Sequence, residues 1–339
     1  MRLVLVSDAW YPQVNGVVRT LDTLRGHLVD RGWQVFMITP DRFRTVPCPT
    51  YPEIRLSMFA KRKVAAMIDA AQPSAIHIST EGPLGLVARR YCIRRGYPFT
   101  TAYHTRFPEY IHARIGLPLG ISYRVLRWFH DRSSSVMVAT ASIEAELRKA
   151  GFRHLRRWSR GVDTALFHPR DKAFLDAPRP IAMYVGRVAV EKNLEAFLSL
   201  DLPGTKYVVG DGPQRRELEA KYPDVRFAGM RVGEDLAAHL AAADVFVFPS
   251  LTDTFGMVML EALASGVPVA AYPVAGPLDV INQSGAGALD ENLKAAVERA
   301  LHIAPETCRD YALKFSWDHA VDQFVANLDV IDRMAGPEG

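Results

Sequence analysis

Short runs of apolar residues recur along this chain at strand length, and most lead into a stretch with helical spacing. In the first half the runs fall at residues 2–7, 34–38, 75–79, 98–103 and 135–139. Helical stretches lie at 17–30, 83–94 and 142–150, with Gly151 placed to end the last at its C-cap. In the second half the runs fall at 181–185, 206–209, 225–227, 245–248 and 267–271, and helices start near Asn193, Gln214, Gly233 and Gly256. A strand that is apolar throughout has both faces buried, which a parallel sheet covered by helices on each side provides. The pattern predicts an α/β protein built from two doubly wound, Rossmann-like parallel-sheet domains. At 339 residues the chain suits two domains of roughly 150 to 180 residues each. Pro169, Pro178 and Pro180 break the periodicity, so 161–180 reads as the linker. The expected division is 1–165, 166–315 and a closing segment 316–339 that holds a helical pattern at 317–334. Parallel strands aim their carboxyl ends at the ligand, so a cleft between two such domains is the expected site.

Composition narrows the partners. No apolar run reaches the ~18 residues of a membrane-spanning helix. The first seven residues read as a core strand of a cytoplasmic protein, since they lack the longer apolar region and cleavage site of a signal peptide. Cys48, Cys92 and Cys308 stand far apart with no CxxC or CxxH neighbour, which predicts three reduced thiols. The net charge of +4 hides an asymmetry. Residues 1–165 carry 25 Lys or Arg against 12 Asp or Glu, and residues 166–339 carry 16 against 25. A basic half attracts lipid headgroups, phosphates or nucleic acid; a chance surface bias is the plain alternative.

The richest segment runs from 248 to 268. A strand ending at Phe248 gives way to a polar loop through Ser250, Thr252 and Asp253, and Phe255 and Gly256 then open a helix. A helix N-terminus offers free N–H groups and a positive dipole end, which suits a phosphate or sugar oxygen. Asp253 precedes the helix and Glu261 lies about two turns in. Carboxylates accept hydroxyl hydrogen bonds in pairs, as in sugar and ribose recognition. The bland alternatives are an N-cap for Asp253 and a solvated helix position for Glu261. Val258, Leu260 and Leu263 around Glu261 favour a buried setting instead.

Two further places stand out. Gly186, Arg187 and Lys192 share one strand-to-helix turn, and fixed cations there would stabilise charge developing on a departing phosphate. In isolation they read as surface charge. Asn15 and Gly16 join the first strand to the first helix, and Gly16 lets backbone approach a ligand closely. In isolation they are a turn. No G-x-G-x-x-G follows a strand, so there is no dinucleotide fingerprint.

Together these residues resemble glycosyltransferase family four, a family of retaining enzymes with the two-domain GT-B fold. The family pattern has two carboxylates eight positions apart around a Phe-Gly pair, then a Gly-x-Pro-Val strand; here these are Asp253, Phe255, Gly256, Glu261 and Gly266-Val267-Pro268-Val269. The family usually has Glu at the first position, where this chain has Asp. Arg187 and Lys192 match the pair that binds the donor diphosphate, Gly210-Asp211-Gly212-Pro213 matches a common loop, and Asn15-Gly16 resembles the N-terminal glycine loop. Arg160 to Asp163 matches the hinge phrase, with Arg160 where Asn is more usual. The resemblance implies that Asp253 and the backbone of Phe255 and Gly256 meet the sugar, that Glu261 holds the ribose hydroxyls, and that His104 lies against the sugar. Around His104, the string with Thr105, Arg106, Glu109 and Tyr110 resembles bacterial members that glycosylate membrane lipids, diacylglycerol among the acceptors. The closing helix with Trp317 is of the kind that crosses back to the first domain. No D-x-D occurs, so no metal cofactor is expected, and His112, His130 and His154 show no ligand spacing.

The resemblance therefore implies transfer of a hexose from a UDP- or GDP-linked donor to a hydroxyl acceptor, a membrane lipid such as diacylglycerol or a glycolipid. His104, Asp253, Arg187 and Lys192 form the expected catalytic group. A peripheral place on the inner face of the cytoplasmic membrane is expected, with no nucleic acid partner. Met58, Phe59, Lys61, Arg62 and Lys63 combine apolar anchors with cations that suit anionic lipid, and Arg148, Lys149, Arg153, Arg156 and Arg157 with Trp158 form a second such cluster. Solvated charge is the alternative for both. Two rival functions remain: a nucleotide-sugar 2-epimerase of the same architecture, and a non-catalytic anion-binding module, which would leave both carboxylates and both cations unexplained.

Overall fold

A computed structural model describes residues 1–13, 15–48, 51–104, 107–108, 116–253, 255–282 and 284–331, with the backbone alone for 51–54. Thr105, Arg106, Glu109, Tyr110 and His112 lie outside the described residues. The chain divides into two compact units: Met1–Ser159 together with the chain from Asp318 on, and Arg160–Trp317.

The first unit contains β1 (Arg2–Val6), β2 (Gln34–Ile38), β3 (Thr45–Cys48), β4 (Tyr51–Ser57), β5 (Ala75–Ile78), β6 (Thr100–Tyr103), β7 (Ser135–Val138) and β8 (Leu155–Arg157). Six of them form a parallel sheet in the order β2-β1-β5-β6-β7-β8, in register with Leu3 beside both Val35 and Ala75. Its helices are α1 (Gly16–Asp30), α2 (Lys61–Ala71), α3 (Pro83–Arg95), α4 (Leu119–His130) and α5 (Ala141–Lys149). The period of two along β1 sends Val4 and Val6 to a core with α2 and α3. Leu3 and Leu5 go to the opposite core, where Leu21, Leu24 and Leu28 of α1 meet Trp158, Val321 and Phe324. Asn15 and Thr140 cap α1 and α5 through their side chains. Gly96, in the left-handed region at φ 65°, ends α3.

The second unit contains β9 (Ile181–Val185), β10 (Thr205–Val209), β11 (Arg226–Gly229), β12 (Val245–Phe248), β13 (Val269–Ala271) and β14 (Gly287–Leu289). Its parallel order is β11-β10-β9-β12-β13-β14. The helices are α6 (Leu194–Leu198), α7 (Arg215–Lys221), α8 (Gly233–Ala241), α9 (Met257–Ala264), α10 (Ala275–Ile281), α11 (Leu293–Ala300) and α12 (Pro305–Ala312). The stretch read as the linker is anchored to this unit: Arg309 donates to the carbonyls of Thr164 and Phe167, and Phe167 is buried.

The last helix, α13 (Trp317–Ala326), is shorter than the 317–334 expected. Asn327 ends it. Its Nδ2 donates to the Arg157 carbonyl (2.8 Å), and its own carbonyl accepts from Ser135 Oγ (3.0 Å). The chain then runs on until Ile331 N donates to the Ser74 carbonyl (2.7 Å). Among the described residues no helix is long and apolar enough to cross a membrane. Cys92 and Cys308 are buried, and desolvation pushes both thiols up to about 12.

Candidate active site

In the second sheet the strand order reverses between β9 and β12. The chain steps from β9 outward to β10 and β11 on one side, and from β12 outward to β13 and β14 on the other. Connections leaving the carboxyl ends part at such a point, and the crevice they leave is where open α/β sheets take ligands. Arg187 and Lys192 follow β9, and Asp253 follows β12.

The β9 turn is built by close backbone approach. Gly186 N donates to the Val209 carbonyl (3.0 Å), and Tyr184 Oη to the Arg187 carbonyl (2.9 Å). Gly210 sits at φ 143°, and a Cβ there would stand 1.9 Å from the Gly186 oxygen. A Cβ on Gly212 would stand 2.3 Å from the Val188 oxygen. The two glycine loops are therefore one packed unit, and it fixes where Arg187 leaves the backbone. Arg187 Nη1 lies 3.8 Å from Glu191 Oε1.

Lys192 closes a short 3₁₀ turn (Val190–Lys192), and Asn193 takes the left-handed region at φ 54°. Asn193 Nδ2 donates to the Pro249 carbonyl (3.2 Å), and Lys192 Nζ donates to Asp253 Oδ1 (2.6 Å). Two contacts thus tie the β9 turn to the β12 loop. The ion pair is partly buried, and such charge-assisted bonds are the stronger ones. Tyr184 lies beneath: burial first, then the charges of Asp253 and Glu191, hold its phenol well above the ordinary range. Nothing in the sequence marked Tyr184 or Glu191.

Asp253 does not cap α9. The cap position is Gly256, at φ 76°, with no side-chain hydrogen bond to the helix. Instead Asp253 Oδ2, Ser250 Oγ and Thr252 Oγ1 are buried without a hydrogen-bond partner among the described residues. Each such atom costs about 1–3 kcal/mol when left unpaired, so three in one short loop make it a candidate place for a polar ligand. Phe255 is buried, which leaves its backbone as the part able to meet a ligand. Glu261, in the second turn of α9, is 5% exposed, so the solvated reading fails and the buried one holds. Gly276, in the first turn of α10, stands against this loop; a Cβ there would be 2.7 Å from the Asp253 carbonyl.

In the first unit the order reverses between β1 and β5. Asn15 caps α1, its Oδ1 accepting from Val18 N (3.0 Å), so that oxygen is already engaged. A Cβ on Gly16 would meet nothing within 4 Å, so open space faces that backbone. His104 follows β6, half-buried, its ring edge-on to Trp158 at 5.7 Å. Sequence reasoning missed Asp8. Its carboxylate accepts from Leu84 N (2.8 Å), Gly85 N (3.2 Å) and Thr80 Oγ1 (2.9 Å), binding the β1 exit to the start of α3. Burial outweighs those bonds and raises its pKa to about 6. His130 is a satisfied core residue between Thr101 Oγ1 (2.9 Å) and Glu81 Oε1 (3.2 Å).

Of the two basic clusters, Phe59 is 91% exposed at φ 53°, Met58 is exposed, and Lys61, Arg62 and Lys63 are exposed in the first turn of α2. In the other cluster Trp158 is no anchor. It is fully buried just past the end of β8, packed on Phe324, 4.9 Å away, while Arg156 and Arg157 of β8 stay exposed.

Two family models match the chain: Glycosyltransferase Family 4 over residues 14–166 and Glycosyl transferases group 1 over 179–304. The chain is 29% identical over 314 residues to the sulfoquinovosyl transferase of Arabidopsis thaliana, a match covering 84% of this chain and 62% of that protein's length. It is 27% identical over 368 residues to a GDP-mannose-dependent alpha-mannosyltransferase of Mycobacterium tuberculosis, covering 98% of this chain and 97% of that one. It is 26% identical over 356 residues to the alpha-monoglucosyldiacylglycerol synthase of Streptococcus pneumoniae, covering 90% and 79%. Among solved structures, sucrose-phosphate synthase from Thermosynechococcus elongatus matches with a TM-score of 0.76 at 23% identity, over 96% of this chain and 97% of that one. HepE of Anabaena, solved with UDP-glucose, matches at 0.71 and 17%, over 96% and 98%. With two Rossmann-like parallel-sheet units and both models matched in chain order, the chain belongs to glycosyltransferase family four, of the GT-B fold.

Proposed function

We propose that this glycosyltransferase moves a hexose, with retention and without a metal, from a nucleoside-diphosphate donor to the hydroxyl of a membrane lipid. The observation that carries the donor half is the Lys192–Asp253 bridge at the reversal of the second sheet, with the Ser250, Thr252 and Asp253 oxygens beside it. Cations and hydroxyl-accepting oxygens converge there, as a sugar diphosphate requires. The names of the relatives support a nucleotide donor and a lipid-related acceptor; GDP-mannose appears in one and diacylglycerol in another. UDP-glucose in the HepE structure leaves the base open between uracil and guanine.

The residues act as follows. The bond from the anomeric carbon to the diphosphate oxygen breaks, and the negative charge gained by the diphosphate is met by Arg187 and Lys192. The acceptor oxygen bonds to the same face of the anomeric carbon, and its proton passes to a phosphate oxygen of the leaving group. Lys192 can serve the diphosphate only by sharing or leaving Asp253, so donor binding frees that carboxylate for the sugar hydroxyls. Glu261 takes the ribose hydroxyls, and His104 lies against the sugar. No protein nucleophile is required. Met58 and Phe59 with Lys61, Arg62 and Lys63 provide a contact for an anionic membrane.

A panel of labelled UDP- and GDP-hexoses incubated with membrane lipid extract tests the reading. The expected result is a label in the lipid phase, in α linkage from an α donor, undiminished by EDTA. An epimerised sugar nucleotide without acceptor, or no product from any donor, would contradict it.

A further inference from the structure

Helices α3 and α4 carry six arginines and no Asp or Glu. Both cover the same face of the first sheet, where Ala88 and Cys92 of α3 share a core with Phe129 of α4. The outward face of α4 carries an apolar row where a solvated helix is polar, and that of α3 is basic. On α4, positions 121, 125 and 128 recur at helical spacing, and Ile121, Val125 and Trp128 are all exposed, Val125 by 58% and Trp128 by 49%. On α3, Ile93 is exposed beside exposed Arg90 and Arg94.

Trp128 does not lie loose on this face. The Arg89 guanidinium sits 4.3 Å from its ring centroid and donates to the carbonyls of Trp128 and Phe129, both at 2.7 Å. The buried arginine supports one side of the ring and joins α3 to α4.

We propose that this α3–α4 face docks on an anionic lipid bilayer, with Ile121, Val125 and Trp128 entering the headgroup boundary and Arg90, Arg94 and Arg124 meeting its phosphates. The charge on the page selects that occupant. Both helices lack any carboxylate, within a half of the chain that carries 25 cations against 12 anions. Basic residues gain energy beside an anionic leaflet, and a tryptophan with an apolar body and a polar edge suits the interface. The face is distinct from the patch at residues 58–63, and docking is read without donor or turnover. It therefore stands or falls apart from the acceptor assignment.

Full-length protein is sedimented with vesicles of pure phosphatidylcholine, or of phosphatidylcholine with phosphatidylglycerol, at low and high salt. The wild type is expected in the anionic pellet at least about tenfold more than in the neutral one, less so at high salt. Combined Ile121→Ser, Val125→Ser and Trp128→Ser changes, and separately combined Arg90→Glu, Arg94→Glu and Arg124→Glu changes, are each expected to lower anionic binding about tenfold or more. Val125→Glu alone serves as the milder variant, and an unchanged circular-dichroism melt checks the fold. The proposal is overturned if these variants sediment like wild type, if only Met58→Ser with Phe59→Ser releases the protein, or if neutral vesicles bind equally well. It is also overturned if the face instead mediates vesicle-free self-association that the variants abolish.

Discussion

Asp253 shows how a single residue's role depends on its neighbours. Its position before a helix suggested a cap or a sugar ligand, and the structure gives its first oxygen to Lys192, 61 positions earlier. No spacing rule exposes a pair that far apart; only the parallel neighbours β9 and β12 bring the two together. Glu261 was more legible, because apolar residues flank it on one helix and burial follows from the pattern alone. Its substitution by Gln keeps the shape and removes the charge that accepts hydroxyls. Glu261→Gln is expected to cut turnover by orders of magnitude while the thermal melt stays within a few degrees; near-normal turnover would sink the assignment. Asp8 lay in a string with no motif, and its environment is visible only in the fold. With a folded pKa of about 6 against the ordinary 3.8, the fold favours its protonated form. That contribution is full below about pH 4 and is lost as pH rises to about 6, a span worth about 3 kcal/mol. Urea midpoints of the wild type are expected to fall across this window more steeply than those of Asp8→Asn; parallel curves would remove Asp8 as the cause.

Elements were legible where the apolar runs were long and bounded by clear turn residues. The strands β1, β2, β9 and β12 fall where periodicity puts them, and α1, α3 and α5 within a residue or so. The hairpin β3–β4 did not show, since Pro47 and Pro52 obscure any alternation. α2 is obscured in the sequence because three cations open it, although Val64, Ile68 and Ala71 give it a buried face. β8 is obscured by the same kind of basic run and shows as a strand only by its pairing with β7, while Trp158, just past its end, is core. α13 belongs to the first unit by contact, through Val321 and Phe324. Phe324 packs on Trp158 and lies 5.0 Å from the His77 ring, so a cavity there has little means to collapse. Phe324→Ala is expected to destabilise the first unit by about 3–5 kcal/mol. The check is hydrogen exchange resolved by unit, with β1 and β5 losing protection and β9 and β12 keeping it; equal loss in both would contradict the assignment of α13.

At the scale of the molecule, the two sheets repeat one plan. Each is parallel and each reverses its order once; Arg187, Lys192 and Asp253 follow the strands at the reversal of the second sheet, and Asp8, Asn15 and Gly16 follow β1 at that of the first. The fold class was readable from strand and helix alternation, because buried parallel strands leave a strong apolar signal. The chemistry was less readable, because it rests on contacts between loops whose sequences are polar and short. The charge division between the halves was plain in the sequence, but which surface uses it was not: α3 and α4 look unremarkable until Arg89 is seen beneath Trp128. On the proposed function the second unit grips a nucleoside diphosphate through Lys192 and its neighbours. Calorimetric titration of UDP and of GDP into the full-length wild type and Lys192→Ala tests it most directly. One of the two nucleotides is expected to bind the wild type, and the variant to lose at least about tenfold in affinity, about 1.4 kcal/mol or more. No binding of either nucleotide, or equal affinity in both proteins, would contradict it.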